Sequence, residues 1–125
     1  MDKTYNDVKV SEIQSALGTF SGSERFYRHA LNLNVIFSEG ARFVAESCGA
    51  YWLVDEIALA QYNHKVKAED FQVWKLVVTG SKAVLTMGDG NDHVMFRMPL
   101  QFTDFPLPEI TLWFENGTIY LPSER

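Results

Sequence analysis

The chain has one cysteine, Cys48, among 125 residues. That excludes a disulfide framework within the chain and a thiolate-based zinc cage, and it suits a reducing, cytoplasmic setting. Positive charge is also scarce: 11 Lys and Arg stand against 16 Asp and Glu, for a net charge of −5. A protein that holds nucleic acid through its phosphates needs the opposite balance, so direct phosphate binding is not expected. The first residues, Met1-Asp2-Lys3-Thr4-Tyr5-Asn6-Asp7, lack the apolar stretch of a signal peptide. Without such a signal, the sequon Asn116-Gly117-Thr118 has no consequence. No apolar run reaches the ~20 residues that span a bilayer. The longest candidate, Gly49 to Tyr62, is interrupted by Asp55-Glu56. There is no Gly-rich phosphate loop, nucleophile elbow, internal repeat or low-complexity tract.

What is present is material for a core. Hydrophobic residues make up 46% and aromatics 14% of the chain. At this length they build one core, so residues 1–125 read as a single domain. Within it, 1–6 read as a flexible N-terminus, 7–62 as a mainly helical part and 70–121 as a β part.

Val10, Ile13, Leu17 and Phe20 recur at helical spacing, with Asn6 or Ser11 as the start and Gly18, Ser21 and Gly22 as the stop. Residues 24–37 alternate, which predicts a strand near 24–29 and a short extended piece at 34–37. Ser38 is a natural N-cap, Glu39 suits the first turn, and Gly49 suits the C′ position of a helix over 39–48. A second helix, Ala50 to Tyr62, is apolar nearly all round and therefore central. After the polar stretch Asn63 to Asp70 the period changes to two. Strands are predicted over 71–79, 83–87, 93–98, 109–115 and 118–121, with Gly80-Ser81, Gly88 to Asp92 and Asn116-Gly117 as turns. Pro99, Pro106 and Pro108 break the path between the third and fourth of these. The order implies an α+β fold, with N-terminal helices on one face of a C-terminal antiparallel meander of four to five strands. Trp74, Leu76, Val94, Phe96, Met98, Ile110, Leu112, Phe114, Ile119 and Leu121 would face the helices. His93, Met95, Arg97, Trp113 and Tyr120 would face away.

Two groups of residues could carry function. Asp55 and Glu56 interrupt the apolar helix, and a desolvated carboxylate can act as acid or base. Tyr51 lies one turn before Asp55, and His29 could complete a carboxylate–histidine pair. The plain alternatives are a polar stripe, a carboxylate paired with Arg28 or Arg42, and a hydrogen-bonded structural histidine. His64 and His93 lie too far off in sequence to form a metal-ligand pattern, so no metal and no cofactor is expected. Asp89-Gly90-Asn91-Asp92 lacks the twelve-residue calcium pattern and reads as a hairpin turn. The second group is Trp113 and Tyr120, an aromatic pair on the outer sheet face with Glu115 nearby. Such a patch can anchor a protein partner.

Several segments taken together resemble a known family. They are Ser21 to His29 (SGSERFYRH), Glu39 to Glu46 (EGARFVAE), Gly49 to Ala58 (GAYWLVDEIA), Phe71 to Leu76 (FQVWKL), Thr103 to Pro108 (TDFPLP) and Leu121 to Glu124 (LPSE). In this order they resemble a domain-of-unknown-function family of small proteins from bacteria, their plasmids and phages. The resemblance implies a single-domain cytoplasmic protein accessory to a mobile element, and it lends no catalytic residue and no cofactor. The leading expectation is therefore a non-catalytic acidic protein that masks or bridges a macromolecular partner, such as a host or defence protein. A small enzyme or ligand-binding protein around Asp55, Glu56, Tyr51 and His29, a nucleic-acid-associated factor and a homodimer stay open.

Overall fold

Two tight turns fix how the β part pairs. Asn116 and Gly117 both take positive φ, 53° and 72°, which suits a two-residue hairpin whose twist matches its strands. Gly80, at φ 64°, opens the other two-residue turn, between Thr79 and Lys82. The computed structural model describes residues 7–125. The expected flexible N-terminus and the alternative helix start at Asn6 lie outside those residues.

The elements are α1 (Asp7–Leu17), β1 (Phe26–Arg28), β2 (Ile36–Ser38), α2 (Glu39–Ser47), α3 (Tyr51–Ala60) and α4 (His64–Lys67). Then come β3 (Phe71–Thr79), β4 (Lys82–Gly88), β5 (Val94–Leu100), β6 (Glu109–Glu115) and β7 (Thr118–Tyr120), with a 3-10 turn at Pro122–Glu124. The fold is mixed α+β, with helices mainly N-terminal and strands mainly C-terminal. All seven strands form one sheet, in the order β1-β2-β7-β6-β3-β4-β5. Every pairing is antiparallel except β2 with β7.

The sheet departs from a simple meander in two ways. The N-terminal strands β1 and β2 join it beyond β7. The β6–β7 hairpin does not continue past β5 but returns to the other side of β3. The connection that allows this, residues 101–108, buries Phe105 and Leu107 and bonds at both ends, Thr103 N–H to Ser81 O (2.7 Å) and Val78 N–H to Pro108 O (2.9 Å).

Alternation along the strands sorts the two faces. Trp74, Leu76, Leu85, Met87, Leu112 and Ile119 point to the helices and are buried with Val44, Leu53, Val54 and Ile57. Val94 differs from expectation and is 62% exposed. A register shift between Met87 and Gly88 displaces it from the inward row, whereas Phe96 and Met98 keep theirs against Met87 and Leu85. Pro99 does not end the strand. It sits inside β5, the sheet's edge strand, where a missing N–H is tolerated. The polar stretch after α3 contains one more helical turn, α4, capped by the Asn63 side chain on the N–H groups of Lys65 and Val66.

Helix α2 starts as its sequence suggests: the Ser38 side chain accepts the Ala41 N–H at 3.1 Å. A second cap comes from far along the chain. Glu124 Oε1 accepts from Ser38 Oγ (2.6 Å) and Leu121 N–H (2.8 Å), and its Oε2 accepts from Gly40 N–H (3.1 Å) and the Ser23 hydroxyl. The carboxylate thus sits at the positive end of α2. A β-carbon on Gly40 would collide with the Glu124 carboxylate and the Leu121 side chain. Gly40→Ala should therefore destabilise the fold by about 2 kcal/mol in urea denaturation, although alanine at an open helical site gains about 1 kcal/mol over glycine.

Cys48 is buried, and burial pushes its thiol up to about 12. The unfolded thiol ionises near its ordinary value of 9.0. Its contribution to stability is therefore intact below that value and is lost as pH rises from there toward about 12. At pH 8 the native protein should resist iodoacetamide, and the denatured protein should react with one equivalent, as counted by mass spectrometry.

Candidate functional site

The structure brings His29 and Asp55 together. His29 sits after β1 and is 3% exposed, and Asp55 lies on α3. Their Nε2 and Oδ1 atoms are 2.7 Å apart. The other imidazole nitrogen is occupied too: Nδ1 accepts the backbone N–H groups of Leu31 (3.2 Å) and Asn32 (3.0 Å). These bonds fix one tautomer, with the proton on Nε2 and donated to Asp55. A general base needs an open lone pair, and this ring presents none. Asn32 extends the arrangement, donating from its side chain to Ala58 O at 2.9 Å. The group acts as a staple that holds the 29–35 loop against α3.

The other central-helix candidates do not join it. Tyr51 shares the face of Asp55 by spacing, but its hydroxyl donates to Glu46 Oε1 at 2.6 Å, and that bond holds the phenol above its ordinary value. Arg42 pairs with the same carboxylate at 3.6 Å and stacks on Tyr27, so it is not the partner of Asp55. Glu56 is partly exposed and has no hydrogen-bond or ionic partner among the described residues. In the 89–92 turn, the Asn91 N–H and His93 hold the Asp89 carboxyl below its ordinary range, and Asp92 takes a positive φ. No group of acidic, histidine or cysteine side chains fit for a metal occurs among the described residues.

Trp113 and Tyr120 face away from the helices and are directly paired across β6 and β7. Their rings meet edge to face at 6.1 Å, and Phe71 on β3 extends the row, 5.2 Å from Trp113. Burial, and next the Glu115 carboxylate, push the Tyr120 phenol up. Arg125 lies across this row. Its guanidinium carbon is 5.2 Å from the Phe71 ring centre and 5.6 Å from that of Trp113, and its Nη2 reaches Glu115 Oε2 at 3.4 Å. Beside it is a hollow of about 250 Å³ that includes Phe26, Tyr120, Glu115 and Glu124. Period two signalled Trp113 and Tyr120. Phe71 and Arg125 were missed: Phe71 opens its strand, and Arg125 arrives only through the turn at 122–124.

A larger cleft, of about 630 Å³, opens at the end of the sheet between the 32–35 loop, α4 and the β6–β7 turn. Its floor is a closed amide network. Gln61 and Gln72 donate to each other at 2.8 and 2.9 Å, and the Trp74 indole donates to Gln72 Oε1 at 2.9 Å. Its rim carries Lys67, Glu69 and Asp70, and Phe71 and Glu115 line it as well as belonging to the aromatic row. The sequence signals for this floor are Gln61 in a mostly apolar helix and Gln72 in the same strand row as Trp74.

The staple yields a direct test. Replacing either His29 or Asp55 by alanine should cost about 1–3 kcal/mol in denaturant unfolding, because the partner is left with an unmet hydrogen bond. The double variant should cost less than the sum, and heteronuclear NMR at pH 7.5 should find the His29 proton on Nε2. Additive losses and an Nδ1 proton would show that no staple exists.

No curated protein is detectably similar in sequence. A crystal structure of a protein of unknown function from Enterococcus faecalis is similar, with a TM-score of 0.49 and 21% identity over 82% of this chain and 93% of that one. The sequence model of DUF6876, a family of unknown function, matches residues 11–125, and the chain belongs to that family.

Proposed function

We propose that this protein is a non-catalytic binding protein that masks or bridges a macromolecular partner through the outer face of its sheet. The observation that carries the reading is the row Phe71, Trp113 and Tyr120 on the face opposite the helices. Edge-to-face aromatics on a rigid sheet lose little entropy on binding and make good anchors. The net charge of −5 favours a basic partner and speeds encounter with one. The occupied nitrogens of His29 weigh against the enzyme reading, since the pair serves the loop rather than an open pocket. Action in the cytoplasm, carriage by a bacterium, plasmid or phage, and a host or defence protein as target belong to the same proposal. No helix among the described residues is long and apolar enough to cross a membrane.

The test is capture from native lysate with the tagged protein and with a Trp113→Ala/Tyr120→Ala variant. Both baits need the same unfolding midpoint, and the eluates are read by mass spectrometry and a nucleic-acid assay. A stoichiometric partner kept by the parent and lost by the variant is the expected result. A partner held equally by both overturns the assignment of the face. Self-association that the variant abolishes would make the face a dimer interface instead. Nucleic acid in the eluate, released steeply by salt, would favour a phosphate-binding role.

A further inference from the structure

The row of aromatics is already engaged, and by a specific chemical group. Arg125 lays its guanidinium over both Phe71 and Trp113 and directs Nη2 to Glu115. A planar cation over two ring faces with a carboxylate at its edge is how proteins recognise arginine. The compact, strongly hydrated ammonium of lysine lies on rings less readily than the broad guanidinium. We propose that Phe71, Trp113 and Glu115 form an arginine-recognition site, filled by the chain's own Arg125 when alone and taken over by an arginine of the partner protein. This rests on the binding reading above and adds the chemistry of what is bound.

Three observations converge. First, the site is held rigidly. Glu115 and Trp113 lie on β6, which is paired on both sides, and Phe71 is locked in register with Glu115. Second, the occupant is held loosely. The Arg125 side chain remains 56% exposed, and a single contact at 3.4 Å joins it to Glu115. An exposed pair of this kind is displaced at small cost. Third, there is room and charge for the residues flanking an incoming arginine. Glu115 lines both the 250 Å³ hollow and the 630 Å³ cleft, so the site is their common wall. Glu69 and Asp70 line the cleft with a single lysine, Lys67, whereas the Glu124 carboxylate in the hollow is already taken up by the cap of α2. A basic segment leaving the site toward the cleft would meet carboxylates.

The Glu124 carboxylate, held by Ser23, Ser38 and Gly40, is what keeps the tail in place. Arg125 is therefore tethered at a high effective concentration and competes with any incoming arginine. Removing its side chain should strengthen binding, which is the opposite of what loss of a contact residue does.

The experiment titrates N-acetyl-arginine methylamide and N-acetyl-lysine methylamide into the isotope-labelled protein, followed by two-dimensional NMR. The Trp113 indole signal is identified with Trp113→Phe. In the parent protein, the arginine compound should shift that indole and the Glu115 amide, with the lysine compound at least threefold weaker. Arg125→Ala should lower the arginine concentration at half-saturation about three- to tenfold. Glu115→Gln in that background should reverse most of the gain. The proposal is overturned if Arg125→Ala binds arginine no better than the parent, or if lysine matches arginine in every variant. Partner capture that depends on Trp113 while the arginine compound fails would remove this inference alone. Arginine binding with Trp113-independent capture would remove the partner reading and leave the arginine site standing.

Discussion

The carboxylate of Glu124 at the start of α2 ties the molecule's distant parts together. It gathers Ser23 from before β1, Ser38 and Gly40 from the β2–α2 junction, and Leu121 from beyond β7. Four donors around one carboxylate at a helix N-terminus satisfy groups that would otherwise be orphaned there. The approach is so close that a β-carbon at position 40 would displace the Glu124 carboxylate or the Leu121 side chain. Because the 122–124 turn is anchored in this way, Arg125 is delivered to the aromatic row. The state of the outer face therefore depends on the bonds that Glu124 makes at the start of α2.

Two buried polar clusters do comparable work for α3. At its middle, His29 and Asn32 bind Asp55 and the Ala58 carbonyl. At its end, Gln61 locks onto Gln72 and, through it, Trp74. Burying amides and an imidazole is costly unless every bond is made, and no buried side-chain polar atom among the described residues lacks a partner. An apolar helix on an apolar sheet could slide by a residue. Satisfied polar contacts at two points forbid that, and they set the walls of the large cleft.

Much of this was legible from spacing. Ser38, Gly49, Gly80 and Asn116-Gly117 mark element ends through local backbone chemistry, and the alternation of β3, β4 and β6 separates the buried from the outer row. Those signals alone give the class of fold. Strand order is another matter: the return of β6 to β3 and the joining of β2 to β7 are long-range pairings that no local pattern encodes. The same limit applies to the site. Trp113 and Tyr120 were visible by period, but Phe71 and Arg125 complete the row through tertiary proximity. Residue types suggested His29 and Asp55 as a reactive pair. The structure joins them, but the Leu31 and Asn32 amides occupy the remaining nitrogen, a fact that lies in the loop conformation rather than in residue types.

Strand β7 is three residues long and lies between β6 and β2, near the middle of the sheet order. The hairpin of β1 and β2, made some eighty residues earlier, has no other neighbour on that side. During synthesis that edge of β2 must wait, its backbone groups unpaired, until residues 118–120 have left the ribosome. Such distant pairing slows folding and lengthens the time in which a nascent chain can be captured by chaperones or cut by proteases.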